Sequence, residues 1–202
     1  MKWVLISIFA ILLVIFFIRV AVWENAYYRE KEGSERHEVA ATQHEEEEEL
    51  IEVEPTEEEI IEYNVAPDRP RYLTVESLGV YKARIIPVGV GVYGELDTPN
   101  NIFDVGWYES SGKPGQGKTM LIDGHNGGPH VHGVFKDLPE LANGDIITVE
   151  RGDGIVYRYS VVENREVSIN ESDAYMSTAL RSPEAGRESI TLITCSGEWS
   201  QV

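Results

Sequence analysis

Two side chains in this sequence could act together as a nucleophile and a base. Cys195 follows the β-branched run Thr191-Leu192-Ile193-Thr194, which places a thiol at the end of a predicted strand. A neighbouring base lowers the pKa of such a thiol and makes its thiolate a nucleophile. His125 follows another predicted strand and is preceded by Gly124, so its imidazole is presented on a loop held by rigid structure.

The cysteine count leaves two interpretations of the thiol. Cys195 is the only cysteine, so no disulfide can form within the chain. A lone thiol is either a small buried residue or a reactive group, and a lone histidine after a strand is commonly a polar loop residue. The presence of His125 in the same β-rich region favours a Cys–His pair over these inert alternatives.

Metal binding is a second chemistry that the histidines could support. His125, His130 and His132 could form a cluster with Asp123, since the His-x-His spacing puts two imidazoles on one face of a strand. Gly127-Gly128-Pro129 makes a strand through the cluster awkward. We therefore interpret His130 and His132 as loop residues beside the site, and we predict no metal and no other cofactor.

The elements that must position these residues are short strands separated by turn sequences. Arg151-Gly152-Asp153-Gly154 predicts a hairpin, because Asp-Gly tolerates positive φ in the turn. One helix is predicted, Ser172–Leu180. Short strands with long loops predict a mostly β fold, either a barrel or a sandwich. The predicted strands are Tyr72–Val75, Ala83–Val88, Lys118–Ile122, Ile146–Glu150, Ile155–Val162 and Ser189–Thr194.

Residues 1–23 predict an uncleaved transmembrane signal anchor. The run Trp3–Ile18 is apolar except for Ser7, and about twenty-one helical residues rise roughly 31 Å, enough for a hydrocarbon core of roughly 30 Å. Trp23 stands where a signal-peptide cleavage site needs a small residue. Positive charge at Lys2 favours a cytoplasmic N-terminus, so the sequence predicts a single-pass protein of the cell membrane with an extracytoplasmic domain.

The acidity of the chain is concentrated between this anchor and the β-rich region. Residues 24–70 hold 17 of the 35 acidic residues and 4 of the 17 basic ones. Such a segment buries too little apolar surface to offset its ordering entropy, so it predicts a disordered acidic stalk before a domain of residues 71–202. That domain has no basic stripe, which argues against binding to nucleic acid.

Three features of residues 71–202 together resemble the sortase family of cysteine transpeptidases. They are Thr-Leu-x-Thr-Cys at 191–195, Gly-His at 124–125, and the order in which a β-rich region precedes the histidine and the cysteine follows about seventy residues later. The resemblance implies a closed β-barrel, with eight strands in the family, and short helices. It leaves the sortase class undetermined.

The resemblance also implies roles for three residues. Cys195 would be the nucleophile, His125 the general acid and base, and Thr194 a contact for substrate and oxyanion. The implied reaction cleaves a sorting signal similar to Leu-Pro-x-Thr-Gly in secreted proteins, forms a thioacyl-enzyme, and transfers the acyl group to an amine of the cell envelope or of a pilin. The N-terminal helix would hold the enzyme at the membrane.

The sequence departs from the family at its C-terminal end. The family carries an essential arginine on the strand after the cysteine, and residues 196–202 contain no arginine. We therefore expect this chain to be truncated before the last strand, and to turn over weakly, because an arginine donor stabilises an oxyanion. Two alternatives to the enzyme remain, a membrane-tethered binding module and a metal-binding β domain.

Overall fold

The fold is a seven-stranded sheet, seen in a computed structural model of the chain that describes residues 50–91 and 94–196. The strands follow the order β6-β5-β1-β2-β3-β4-β7 across the sheet. Adjacent strands are antiparallel except for two parallel pairs, β2 with β3 and β4 with β7. The strands are β1 (Pro70–Val75), β2 (Val80–Val88), β3 (Val105–Tyr108), β4 (Thr119–Gly124), β5 (Ile146–Arg151), β6 (Val156–Ser160) and β7 (Ser189–Ile193).

The sheet curls so that its two outer strands approach each other. β6 and β7 lie at opposite ends of the strand order, yet the hydroxyl of Tyr159 on β6 donates to Oε1 of Glu188, next to β7, at 2.7 Å. The same carboxylate accepts from the N–H groups of Gly115 and Gly117. These contacts close most of the gap, and the predicted mostly β barrel is confirmed as a nearly closed one.

The barrel interior is filled by alternate residues of the strands, as the two-residue period of a strand requires. On β4, Met120 and Ile122 belong to the core cluster, and the whole strand is buried. Leu121 and Asp123 are therefore buried on the opposite face, beneath chain segments outside the barrel. The other core residues are Leu73, Val75, Ile85, Val105, Trp107, Phe135, Leu138, Leu141, Ile147, Val149 and Val161.

One of the seven strands was not among the six predicted ones. β3, Val105–Tyr108, has only four residues and contains Gly106, so its pattern is weak. It is stabilised by pairing with β2 and β4 on its two sides. The other strands coincide with predicted segments to within one to three residues at each end.

Two α-helices lie in the described part of the chain. The predicted helix Ser172–Leu180 is observed as α2, Ile169–Ala179, with Ser168 as its N-cap residue. The first helix, α1, spans Glu57–Glu62. Two short 3-10 helices lie in connections between strands, Glu76–Leu78 between β1 and β2 and Leu138–Glu140 between β4 and β5.

Helix α1 corrects the prediction of a disordered stalk over the part of residues 24–70 that the structure describes. Thr56 and Glu59 form a reciprocal capping box, and acidic residues in the first turn suit the positive end of the helix dipole. Beyond the helix, the Tyr63 hydroxyl donates to the carbonyl of Ile85 on β2 at 2.5 Å. The acidic composition suggested disorder, but local capping and contact with β2 order this stretch.

The predicted anchor, residues 1–23, lies outside the described residues. Residues 24–49 of the predicted stalk lie outside them as well. Within residues 50–91 and 94–196, no helix is long and apolar enough to cross a bilayer. The anchor and the N-terminal part of the stalk stay predictions.

Candidate active site

The pairing of β4 with β7 brings together the ends of the two strands that carry the candidate catalytic residues. The strands are parallel, and their last pair is Asp123 with Ile193. His125 lies two residues beyond Asp123, and Cys195 lies two residues beyond Ile193. Because parallel neighbours end at the same edge of a sheet, the histidine and the cysteine both follow strands that end at that edge.

The residue immediately before His125 and the residue immediately before Cys195 are hydrogen-bonded to each other. The hydroxyl of Thr194 donates to the carbonyl of Gly124 at 2.8 Å. A Cβ on Gly124 would lie 2.6 Å from the Phe135 ring, so glycine permits the close packing at this point. The Phe135 N–H donates to the carbonyl of His125 at 2.9 Å, which holds the start of the following loop. Hydrogen bonds therefore fix the backbone carbonyls of both Gly124 and His125.

The Thr194 hydroxyl is already engaged in this arrangement. A hydroxyl has one proton to donate, and here that proton goes to Gly124. The side chain of Thr194 therefore joins the two strand ends, and any oxyanion contact at this position would use its backbone N–H. Its role toward substrate stays a prediction.

Cys195 is exposed, so its thiol is accessible from solvent. The next residue, Ser196, donates from its hydroxyl to Oε1 of Glu166 at 2.9 Å. Glu166 belongs to the segment between β6 and α2, which therefore borders the site. An exposed thiol at a strand end is the geometry that nucleophilic attack requires.

His125 is half-buried, and one of its ring nitrogens has a fixed partner. Nε2 lies 2.8 Å from the carbonyl oxygen of Pro99. A carbonyl can only accept, so this bond requires a proton on Nε2. In the neutral ring Nδ1 is then the nitrogen that can accept a proton. The imidazole is therefore set up to use Nδ1 as a base.

Asp123 is a buried carboxylate on β4, two residues before His125. Its exposed fraction is 7%, and Oδ1 has no hydrogen-bond partner. The pKa of Asp123 is raised from its ordinary value of 3.8 to about 6, mainly because burial disfavours the charged form. The charge of Asp97 acts in the same direction, whereas the Thr98 side chain acts in the opposite one. A buried carboxylate oxygen without a hydrogen bond destabilises the folded state, because it gives up its hydrogen bonds to water.

The space for this carboxylate is provided by Gly106 on β3, its cross-strand partner. A Cβ on Gly106 would lie 2.2 Å from Oδ1 of Asp123 and 3.0 Å from Pro99. The sequence suggested Asp123 only as a metal ligand, and it did not suggest Thr98 or Pro99. A single carboxylate at the end of a buried strand, two residues before His125, is the signal that could have singled out Asp123.

The metal alternative can be compared with the same region. His130 and His132 are exposed in the loop after His125, whereas Asp123 is buried. His132 forms an antiparallel bridge with Gly127, so the loop turns back on itself. Over residues 50–91 and 94–196, no three His, Cys, Asp or Glu side chains are grouped as a metal site would need.

Several solved structures are similar to this chain. The structure is similar to a sortase D5 transpeptidase of Clostridium perfringens, with 21% identity over 71% of this chain and 81% of that one and a TM-score of 0.47. It is similar to sortase C-1 of Actinomyces oris, with 24% identity over 68% of this chain and 70% of that one and a TM-score of 0.48. It is also similar to sortase E of Streptomyces avermitilis, with 20% identity over 65% of this chain and 83% of that one and a TM-score of 0.47.

The family itself is shown by sequence. No curated protein matches the chain. Residues 73–201 match the family model of the Sortase domain, and this span includes both His125 and Cys195. Because the match extends over more than half of the 202 residues, the chain belongs to the sortase family.

Proposed function

We propose that this chain is a cysteine transpeptidase in which Cys195 is the nucleophile and His125 the general acid and base. The observation that supports the proposal is the parallel register of β4 and β7, because the segments that follow these two strands contain His125 and Cys195. Membership of the sortase family supports the reaction class. The accessible thiol supports the role of Cys195.

The proposed first step transfers the acyl group to sulfur. The Cys195 thiolate attacks the carbonyl carbon of the scissile peptide bond, so a C–S bond forms and the C–N bond breaks. Protonated His125 gives its proton to the departing amine. The product is a thioacyl-enzyme and a free C-terminal fragment.

The proposed second step reverses these changes with a different amine. The acceptor amine attacks the thioester, a C–N bond forms, the C–S bond breaks, and the thiolate leaves. The proton lost by the amine returns to His125. The same imidazole thus acts as acid and then as base, and no external reductant or oxidant is needed.

The proposed substrates are secreted proteins that carry a sorting signal similar to Leu-Pro-x-Thr-Gly, and the proposed acceptor is an amine of the cell envelope or of a pilin. The predicted anchor at residues 1–23 would place the domain outside the membrane, where both partners occur. This location rests on the hydropathy and charge of the N-terminal sequence.

The test is to compare variants on a sorting-signal peptide with an added amine. Cys195→Ala should abolish formation of the ligated product, and His125→Ala should lower its rate by about 10²–10⁴-fold. Ser160→Ala, on the opposite edge strand β6, is the matched control and should keep the parent rate. Ligation by Cys195→Ala at the parent rate would show that the nucleophile is misassigned.

A further inference from the structure

The loop that follows His125 folds back tightly on the histidine. Residues 126–133, which we name the histidine loop, begin and end next to each other, because the Gly133 N–H donates to the Asn126 carbonyl at 3.0 Å. A Cβ on Gly133 would overlap with the carbonyl oxygen of His125, so glycine permits this close return. The histidine loop and the backbone of His125 are therefore packed against each other.

The tip of the histidine loop is bonded to Glu52, which precedes the barrel in the chain. The N–H groups of His130 and Val131 both donate to Oε1 of the Glu52 side chain, at 2.9 Å and 3.4 Å. The same oxygen occupies the space that a Cβ on Gly128 would fill, and Gly128 is buried. The Glu52 carboxylate thus fits against the tip through both hydrogen bonds and packing.

Residues 51–53, which we name the clasp, hold Glu52 in place by pairing with residues 100–102. Three hydrogen bonds join the two segments: the Ile51 N–H to the Asn100 carbonyl (2.9 Å), the Ile102 N–H to the Ile51 carbonyl (3.1 Å), and the Asn101 side chain to the Val53 carbonyl (3.0 Å). Residues 100–102 directly follow Pro99, whose carbonyl lies 2.8 Å from Nε2 of His125. The clasp therefore joins the two parts of the chain between which the imidazole lies.

We propose that Glu52 is a positioning residue for His125. Backbone bonding holds the base of the histidine loop, where the Val134 N–H donates to the Ile102 carbonyl at 2.9 Å, and Glu52 holds its tip. With both ends fixed, Nε2 stays on the Pro99 carbonyl and the ring keeps the tautomer that leaves Nδ1 free of a proton.

This contribution comes from outside the matched domain, because Glu52 precedes residues 73–201, the span of the family model. The clasp would thus make residues before the barrel part of the working site. For its catalytic consequence, the inference rests on the proposed function.

The state of the ring can be measured without turnover. In ¹⁵N-labelled full-length protein at about pH 8, where an ordinary imidazole is neutral, the ring nitrogens of His125 should show a protonated Nε2 and an unprotonated Nδ1. Glu52→Ala should give averaged nitrogen shifts, because the ring then leaves the Pro99 carbonyl and exchanges between tautomers. Glu52→Gln should keep the parent pattern, since its amide oxygen can still accept from the two N–H groups.

Gly128→Ala tests the same contact from the side of the loop. The added methyl group takes the space of Glu52 Oε1, so the flexible Glu52 side chain should be displaced and the ring nitrogens should again average. The double variant Glu52→Ala/Gly128→Ala should show no larger effect than either single variant, because both remove one contact. Glu54→Ala, an exposed residue of the same stretch, is the matched control and should keep the parent shifts.

Two results would overturn the proposal. One is parent-like shifts of the His125 ring in both Glu52→Ala and Gly128→Ala. The other is averaging in Glu52→Gln as large as in Glu52→Ala, since the role would then not depend on the hydrogen bonds. Glu52 lies outside the core cluster, so Glu52→Ala decides the question alone if Gly128→Ala does not fold.

Kinetics then separate this inference from the proposed function. Glu52→Ala should lower kcat by about tenfold with KM nearly unchanged, a part of the roughly 10²–10⁴-fold that a positioned acid and base supplies. Averaged ring shifts with an unchanged kcat would refute the catalytic part of the inference. If Cys195→Ala and His125→Ala both keep the parent rate, the proposed function fails, whatever the ring nitrogens show.

Discussion

The burial of Asp123 should make the contribution of this residue to the stability of the protein fall as the pH rises from acid to neutral. The pKa of Asp123 is raised from its ordinary value of 3.8 to about 6 because the charged form is desolvated. Between these two values the folded protein keeps a proton that the unfolded chain has released. The contribution of Asp123 to stability therefore decreases through this window, and the full cost of the buried charge is present above about pH 6.

The size of the effect follows from the two pKa values. The difference between 3.8 and about 6 corresponds to roughly 3 kcal/mol. Asp123→Asn removes the ionisation while keeping the shape, so it removes this cost. Relative to the variant, the parent should lose roughly 3 kcal/mol of unfolding free energy between about pH 4 and pH 7.5.

The assay is denaturant unfolding of the full chain and of Asp123→Asn across this pH range, because other groups titrate equally in both proteins and cancel in the difference. Glu140→Gln, an exposed acidic residue of the short helix after Asp137, is the control and should follow the parent. A parent-minus-variant difference that is the same at every pH would refute the argument that Asp123 is buried with a raised pKa.

Three further predictions concern other parts of the chain. Glu52→Ala should speed amide exchange at His130, whose N–H donates to the Glu52 carboxylate at 2.9 Å, whereas Glu54→Ala, an exposed neighbour, should not; equal exchange in both would contradict the contact. Glu188→Gln should lower the unfolding free energy by about 1–3 kcal/mol, because the carboxylate accepts three hydrogen bonds between the edges of the sheet; an unchanged Tm would contradict this. Protease added to intact cells should remove residues 71–202, and resistance until lysis would contradict the proposed topology.

Local sequence was enough to predict most of the strands. Ile146–Arg151 and Ser189–Ile193 are rich in β-branched residues and were predicted nearly to their observed ends. The same reasoning missed β3, Val105–Tyr108, because four residues with a glycine give little pattern. It also missed the helix Glu57–Glu62, because a run of acidic residues was interpreted by composition rather than by its capping box.

The candidate site was predictable in its residue types and not in its geometry. Cys195 and His125 could be singled out because each follows a β-rich run. Their placement depends on the pairing of β4 with β7, which joins residues about seventy apart and has no local signal. The Pro99 carbonyl on His125 uses a backbone atom, so its residue type carries no information about the contact.

The most direct test of the account is the intact mass of the chain after incubation with a sorting-signal peptide and no amine. The account predicts a covalent adduct with the mass of the acyl fragment, located on Cys195, absent from Cys195→Ala, and discharged when an amine is added. Peptide cleavage without any adduct on Cys195, or the same adduct on Cys195→Ala, would contradict a thioacyl-enzyme at this residue.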